Sequence, residues 1–325
     1  MKNIAVVTGG NSSEYVISVK SADTIIDNLN KEKYRPFRIE IKNDNWTAFF
    51  NESSIEVNKS DFSIVFDGQK INFDAALIMI HGAPGEDGKI QSYFELMGIP
   101  YTSSGVLSSA LTFDKHYTKM MVKALDLPTS PWLHYFNKKE IDYKAIENNI
   151  GYPCFVKPTN AGSSFGVTKA NNEDELHTAI ENSFKEDNQG LLIEKLLSGT
   201  EVTCGVFYNG NNITKLPIAE IVSKNDFFDY EAKYTVGMAD EIIPARIPEV
   251  LGEQIQDITA SLYKAFNCRW FCRIDYIIED NKPYFIEANT IPGMSAESII
   301  PKMLREANIP LTEALDVMIE QCIKK

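Results

Sequence analysis

Apolar and polar positions alternate along the first third of the chain in a way that predicts strand, turn and helix in turn. Residues 4–8 are a continuous apolar run that passes through Gly9-Gly10-Asn11-Ser12-Ser13-Glu14 into a stretch with Val16, Val19, Ile25, Ile26 and Leu29 near helical spacing. A strand, a glycine-rich turn and a helix form the opening unit of a doubly wound parallel sheet. Residues 37–41 and 75–80 read as two further strands of that sheet, with a more polar, antiparallel excursion between them. The glycine spacing does not fit a dinucleotide fingerprint. Residues 88–97 carry Ile90, Tyr93, Phe94 and Met97 on one helical face, and Gly98 stops the helix. A last short strand over 99–102 is expected, then a helix capped by Asp114 and running to Ala124, with Lys115 in its first turn. A cation at the positive end of a helix is disfavoured unless an anion lies nearby, although an exposed lysine explains it as well.

The pattern then shortens. Residues 151–157 are a strand ending on Lys157, followed by the small-residue loop 160–166 and another strand. Such a loop can close its backbone N–H groups over phosphates. It is not a Walker A loop, because no Lys-Ser/Thr follows the glycine and no helix is signalled after it. Strands over 190–194 and 201–208 precede an Asn209-Gly210 turn. Residues 225–240 have no clear period and are long for a connection, which suggests a lid. Pro248 opens an amphipathic helix to Phe266, and after the loop 290–298 a short helix closes the chain.

Between these lie 273–278 and 284–287, two β-branched and aromatic runs that predict a hairpin. If Glu279 pairs with Pro283, Asp275 faces Glu287 and Arg273 faces Asn289. Like charges about 5 Å apart across a ladder are destabilising, and a hard cation turns that arrangement into a site. Two carboxylates and an amide oxygen are ligands that magnesium accepts. A surface hairpin with solvated acids is the alternative, since a slip of one residue separates the pair. Glu14 and His81 fall just beyond the carboxyl ends of strands, where open α/β sheets bind ligands, although a histidine in a turn is equally ordinary.

Length and charge narrow the function. A chain of 325 residues exceeds what one core usually serves, so two or three domains are expected. The net charge of −13 disfavours nucleic acid and anionic membranes as partners, so an anionic substrate must meet locally concentrated cations. There is no long apolar run and no signal-peptide pattern, so a cytoplasmic protein is expected. Five scattered cysteines fit reduced thiols; Cys268 and Cys272 lack a second pair at zinc spacing.

In order along the chain, the motifs are Gly9-Gly10-x-Ser12-x-Glu14 with Ser18, His81-Gly-x-x-Gly-Glu-Asp-Gly88, Tyr101-Thr-x-Ser-Gly105, Asp114-Lys115 and Lys157-Pro-x-x-x-Gly-Ser163-Ser. They continue with Glu194-Lys, Gly-x-Glu201, Asp229-Tyr-Glu-Ala-Lys-Tyr234, Arg273-Ile-Asp275 and Glu287-Ala-Asn-Thr-x-Pro-Gly-Met294. Together they resemble the D-alanine–D-alanine ligases of the ATP-grasp superfamily over nearly the whole chain. Tyr15-Val16, Ser103 and Phe165 depart from frequent family residues, and none of them is a charged catalytic position.

The resemblance implies an α/β fold: an N-terminal doubly wound domain over 1–110, a central ATP-grasp lobe over 111–197 and a C-terminal lobe over 198–325. It implies ATP as a substrate, with Lys115 and Lys157 on phosphates, the backbone of Glu194 and Leu197 on the adenine edge, Glu201 on the ribose and Lys233 on the γ-phosphate. Asp275, Glu287 and Asn289 would hold two Mg2+ or Mn2+ ions. Glu14 would receive the ammonium of the first D-alanine, with His81 near its carboxylate; Ser298 would take the carboxylate of the second. Arg273 and the N–H of Gly293 would hold the developing oxyanion, and Ser163 with Tyr234 would link the lid to Glu14. The product is a dipeptide for peptidoglycan precursors, and the protein is expected to be a homodimer. A ligase taking D-lactate or D-serine as second substrate is the nearest alternative; a non-catalytic nucleotide-binding protein on the same fold is disfavoured by the intact charged positions.

Overall fold

The computed structural model describes residues 1–160, 162, 166–186, 190–223 and 239–324. The expectations for Ser163, Lys233 and Tyr234, and all but the end of the 225–240 lid, lie outside the described residues.

The first sheet is built as the opening apolar runs predict. Strand β1 (Lys2–Gly9) leads through the glycine turn to helix α1 (Tyr15–Asn28) and strand β2 (Tyr34–Lys42). Strands β3 (Asn45–Phe50), β4 (Ser53–Glu56), β5 (Ser63–Phe66) and β6 (Gln69–Asn72) form the antiparallel excursion, and β7 (Ala75–Ile78) returns beside β1. The order is β4-β3-β2-β1-β7, with β2, β1 and β7 parallel; β1 and β7 are buried on both faces, and β2 buries Phe37, Ile39 and Ile41 on one. The strand expected over 99–102 reduces to one bridge from Tyr101 to Ala76. Helix α1 differs more from its pattern. Val16 is 59% exposed, and the buried face is Ser18, Ser21, Ala22 and Ile25. The hydroxyls on that face are buried because they bond to the site described below, which apolar periodicity does not register.

Helices α2 (Lys89–Met97), α3 (Val106–Phe113) and α4 (Lys115–Ala124) follow. The second was not legible as a helix in the sequence; its buried positions are Ser108, Ser109 and Thr112 rather than an apolar stripe. Gly98 closes α2 at φ 65°, and the Asp114 carboxylate caps α4 by accepting from the Tyr117 N–H at 3.0 Å.

A four-stranded antiparallel sheet comes next: β8 (Trp132–Tyr135), helix α5 (Tyr143–Asn149), β9 (Cys154–Pro158), β10 (Thr168–Ala170), helix α6 (Glu173–Glu186) and β11 (Leu191–Lys195), ordered β10-β9-β11-β8. Alternation sorts its faces. Cys154, Val156, Leu191 and Ile193 pack on Ile146, Leu176, Ala179 and Ile180 of the helices. Lys157 and Glu194 therefore point to the other face.

Residues 196–199 carry the chain into the largest sheet. Its strands are β12 (Thr200–Tyr208), β13 (Ile213–Lys215), β14 (Ala219–Ser223), β15 (Ala239–Ile242), β16 (Cys272–Glu279) and β17 (Lys282–Asn289). The order is β15-β14-β12-β16-β17, with β13 beside β12. Asn209 and Gly210 belong to a longer loop closed by the Asn209 N–H on the Asn212 carbonyl, not to a two-residue turn. Helix α7 (Glu249–Ala265) covers one face through Leu251, Ile255 and Leu262. The C-terminus forms two helices, α8 (Ile299–Glu306) and α9 (Leu311–Ile323), where one short helix was expected. Both share a core with the first sheet, so the two ends of the chain are packed together.

Gly9 makes the first turn possible. Its φ is +98°, and a Cβ there would sit 2.4 Å from the Ile41 carbonyl oxygen. Gly68, at φ +72°, has open space around it. Gly9→Ala should therefore destabilise the protein by more than Gly68→Ala, whose cost is the backbone strain of about 1 kcal/mol alone. Urea denaturation of both variants checks this; equal losses would show that the contact with Ile41 is not limiting.

Candidate active site

The hairpin of β16 and β17 places its charged residues as expected, by a different route. The turn is Asp280-Asn281, both at positive φ (51° and 59°), so Glu279 pairs with Lys282 and not with Pro283. A register shift then falls between Asp275 and Tyr276: Tyr276 faces Phe285 while Asp275 faces Glu287, leaving Ile286 as the extra residue of a β-bulge. Without the bulge, Asp275 would face Ile286. Arg273 faces Asn289, as read from the sequence.

Arg273 offsets part of the charge. Its Nε and Nη2 donate to the two oxygens of Asp275, both at 2.9 Å, a bidentate clamp that fixes the carboxylate plane. Thr203, facing Asp275 from β12, donates its hydroxyl to the same carboxylate, and the Asn289 amide nitrogen donates to it at 3.1 Å. Two carboxylates and an amide that presents its oxygen after half a turn suit a hard divalent cation. Among the described residues no group of three or more His, Cys, Asp or Glu is placed to hold a metal ion.

A second group of residues joins the N-terminal loops to the 290–298 loop. The backbone N–H of Glu14 donates to Ser12, whose hydroxyl donates to the His81 carbonyl at 2.9 Å; the His81 N–H donates to Ser18 at 3.0 Å. The His81 ring lies with Nδ1 2.8 Å from the Ile291 carbonyl and Nε2 3.1 Å from the Ser21 hydroxyl, which also accepts from the Met294 N–H. The contact with the Ile291 carbonyl requires a proton on Nδ1, and burial pushes the ring's pKa down against the pull of Glu14. Both ring nitrogens are thus engaged, and contact with a substrate carboxylate would have to exchange one of them.

Glu86, to which sequence reasoning assigned no role, ties the same two loops. Its carboxyl accepts from the Gly82 N–H at 2.8 Å and from the Ile291 N–H at 3.4 Å. Burial, reinforced by Glu14, pushes its pKa up to about 8. Gly293 lies against Ser298, where a Cβ would come within 2.8 Å of the hydroxyl. Ser298 shares a 2.7 Å hydrogen bond with Ser295 and stands at the N-terminus of α8, a position that favours a carboxylate.

A third group lies on the free face of the four-stranded sheet. Lys157 donates to Glu194 at 3.1 Å, and Glu194 is held from its other side by Lys119 of α4 at 3.2 Å. Ser130 accepts from Lys119 at 2.8 Å and donates to Glu194 at 3.2 Å. Burial alone would raise the Glu194 pKa, but Lys119 and Lys157 outweigh it and hold the group down to about 2. Burial brings Lys119 down to about 8 despite Glu194. Both are ionised at neutral pH. Sequence reasoning missed Lys119, yet a signal was there: it lies three residues before buried Val122, on the face a helix buries. Lys115 stands at the start of the same helix with its N–H on the Thr159 carbonyl at 3.1 Å. Leu197 follows Glu194 by three residues in the crossing segment, and Glu201 stands in β12 opposite Ile277.

The raised pKa of Glu86 has a consequence for stability. The native state keeps this proton where an unfolded glutamate, at 4.5, has lost it, so the group's contribution falls as pH rises from 4.5 to about 8. Glu86→Gln should raise Tm relative to wild type at pH 8 and by less at pH 5, in the absence of nucleotide and metal. An equal change at both pH values would contradict a neutral, buried acid.

Comparison with known proteins places this geometry. The family model for the D-ala D-ala ligase N-terminus matches residues 3–104, and that for the D-ala D-ala ligase C-terminus matches residues 121–320. A D-alanine--D-alanine ligase of Azobacteroides pseudotrichonymphae is 44% identical over 98% of this chain and 99% of its own; one of Flavobacterium johnsoniae is 45% identical over the same shares. Among solved structures, the D-alanyl-alanine synthetase A of Vibrio cholerae superposes with a TM-score of 0.89 at 28% identity, covering 100% of this chain and 99% of that one. The VanG D-Ala:D-Ser ligase of Enterococcus faecalis gives 0.87 at 33%, covering 99% of each, and the ATP complex of the Bacillus anthracis D-alanine--D-Alanine ligase gives 0.80 at 30%, covering 100% and 98%. The chain has the ATP-grasp fold and belongs to the D-alanine–D-alanine ligase family.

Proposed function

We propose that the protein joins two D-alanines at the expense of ATP. The observation that carries this reading is the pair Asp275 and Glu287, held face to face beside Arg273 by the bulged hairpin. A carboxylate oxygen of the first D-alanine attacks the γ-phosphorus, the bond to the β-phosphate oxygen breaks, and ADP leaves. The amine of the second D-alanine attacks the acyl carbon of the acylphosphate, loses a proton and displaces phosphate as the amide forms.

Each residue group has a part in that sequence. Lys115 and Lys157 neutralise phosphate oxygens, the crossing segment at Glu194 and Leu197 receives the adenine edge, and Glu201 receives the ribose. Glu14 pairs with the ammonium of the first alanine, and the His81 network fixes the loop that presents it. Arg273 and the Gly293 N–H face the oxygen on which charge develops, a preorganised arrangement of donors. Ser298, at a helix N-terminus, takes the second carboxylate. Lys233, Ser163 and Tyr234 keep the roles that the family motif gives them. Asp275, Glu287 and Asn289 would hold two Mg2+ or Mn2+ ions, which would supply positive charge to neutralise the phosphates.

Relatives at 40–45% identity that carry the D-alanine--D-alanine ligase name support D-alanine over D-serine or D-lactate as second substrate. No helix among the described residues is long and apolar enough to cross a membrane, and all five cysteines are free thiols. We place the enzyme in the cytoplasm, as a homodimer, by analogy with the family.

Offering D-alanine, D-serine and D-lactate separately beside D-alanine, and identifying products by mass spectrometry with phosphate release, tests the function. D-Alanyl-D-alanine should dominate; a mixed product formed faster than the dipeptide would overturn the choice of acceptor. For the metal ligands, Asp275→Asn or Glu287→Gln should lower kcat by roughly a thousandfold, the equivalent of several kcal/mol. Each should also weaken Mn2+ binding followed by electron paramagnetic resonance. Turnover retained at ordinary magnesium would contradict the assignment.

A further inference from the structure

Lys119 is a charged side chain that the mechanism above does not use. It is 1% exposed, and its ammonium is enclosed by the Glu194 carboxylate at 3.2 Å, the Ser130 hydroxyl at 2.8 Å and the Trp132 ring, whose centroid is 5.2 Å away. Sealed in this way, it cannot itself reach a ligand. Lys157, on the other flank of Glu194, keeps 14% of its side chain exposed. Two lysines therefore share one buried carboxylate, and the more accessible lysine is the one assigned to phosphate.

We propose that Lys119 is a positioning residue: it holds Glu194 so that Lys157 can leave that carboxylate for a nucleotide phosphate. The inference rests on the reading of Lys157 as a phosphate ligand. Its physical basis is the cost of stranding a charge. If Glu194 had Lys157 as its single cation, drawing Lys157 toward a phosphate would leave a buried carboxylate without a counter-ion, which is strongly unfavourable. With Lys119 in place, Glu194 keeps an ion pair and the Ser130 hydroxyl when Lys157 departs, and what remains buried is neutral. The cluster as a whole carries one positive charge beyond what Glu194 balances, and that excess is available to an anion. The depressed pKa of Glu194 fits a carboxylate held by two cations at once.

The same geometry predicts how the residues depend on each other. Lys119→Met removes the sealed charge and keeps most of the volume, so Glu194 claims Lys157. A non-hydrolysable ATP analogue should then bind roughly tenfold to a hundredfold more weakly in calorimetry. Adenosine, which has no phosphate, should bind as it does to wild type. KM for ATP should rise while KM for D-alanine stays unchanged. Lys119→Met combined with Glu194→Gln should recover the analogue affinity to within about threefold of Glu194→Gln alone, because the competing charge is gone. That pair of variants buries no unmatched carboxylate, so it keeps the test intact if Lys119→Met alone does not fold. Unchanged analogue affinity in Lys119→Met, an equal loss for adenosine and analogue, or a further large loss on adding Lys119→Met to Glu194→Gln would each overturn the proposal. Wild-type protein that binds no ATP analogue at all would overturn the underlying nucleotide reading instead.

Discussion

Two carboxylates that repel each other sit directly opposite in the same ladder, and the surrounding structure is arranged to hold them there. Asp275 and Glu287 meet because a two-residue turn and a bulge at Ile286 together restore the facing that either alone would break. The bidentate clamp from Arg273 and the hydroxyl of Thr203 act on Asp275, and the largest sheet fixes both strands in place. On the proposed reading, a divalent cation would offset the repulsion between the two carboxylates. The same hairpin runs directly into the 290–298 loop, which carries Gly293 and Ser298, so the groups read as metal, oxyanion and carboxylate ligands follow one another along a single stretch.

Charge elsewhere is handled by pairing in threes. Lys119, Glu194 and Lys157 leave a surplus of one positive charge on the sheet face that alternation directs away from the core. Beside Glu14, burial and that neighbouring carboxylate push the Glu86 pKa up. In a protein with a net charge of −13, that surplus makes one locally cationic surface, which the proposed function gives to phosphates, apart from the acidic surface of Glu14 and Glu86. The link between the surfaces is the crossing segment at 196–199 on one side and the His81 and Glu86 contacts with Ile291 on the other.

Much of the fold was legible because its buried parallel strands and amphipathic helices have strong periods: β1, β7, α2 and α7 follow the pattern closely. The pairing of Asp275 with Glu287 was also legible, although the turn assumed for it was one residue too long and the bulge made up the difference. What escaped were elements whose burial is polar. Helix α3 buries Ser108, Ser109 and Thr112, and α1 buries Ser18 and Ser21, so hydroxyl contacts with distant backbone took the places that an apolar stripe would fill. Lys119 and Glu86 escaped for the same reason. A lysine or glutamate is ordinarily a solvated residue, and its burial here depends on partners far apart in sequence, Glu194 for one and Gly82 with Ile291 for the other.

The proposed reaction turns on the acylphosphate, which the phosphate-binding lysines and Arg273 would help to form and resolve. D-Alanine labelled with 18O in its carboxylate, incubated with ATP and magnesium, follows the oxygen that attacks the γ-phosphorus. Each dipeptide formed should transfer one labelled oxygen into the released phosphate, detected by mass spectrometry. Phosphate that carries no label while dipeptide accumulates would contradict it.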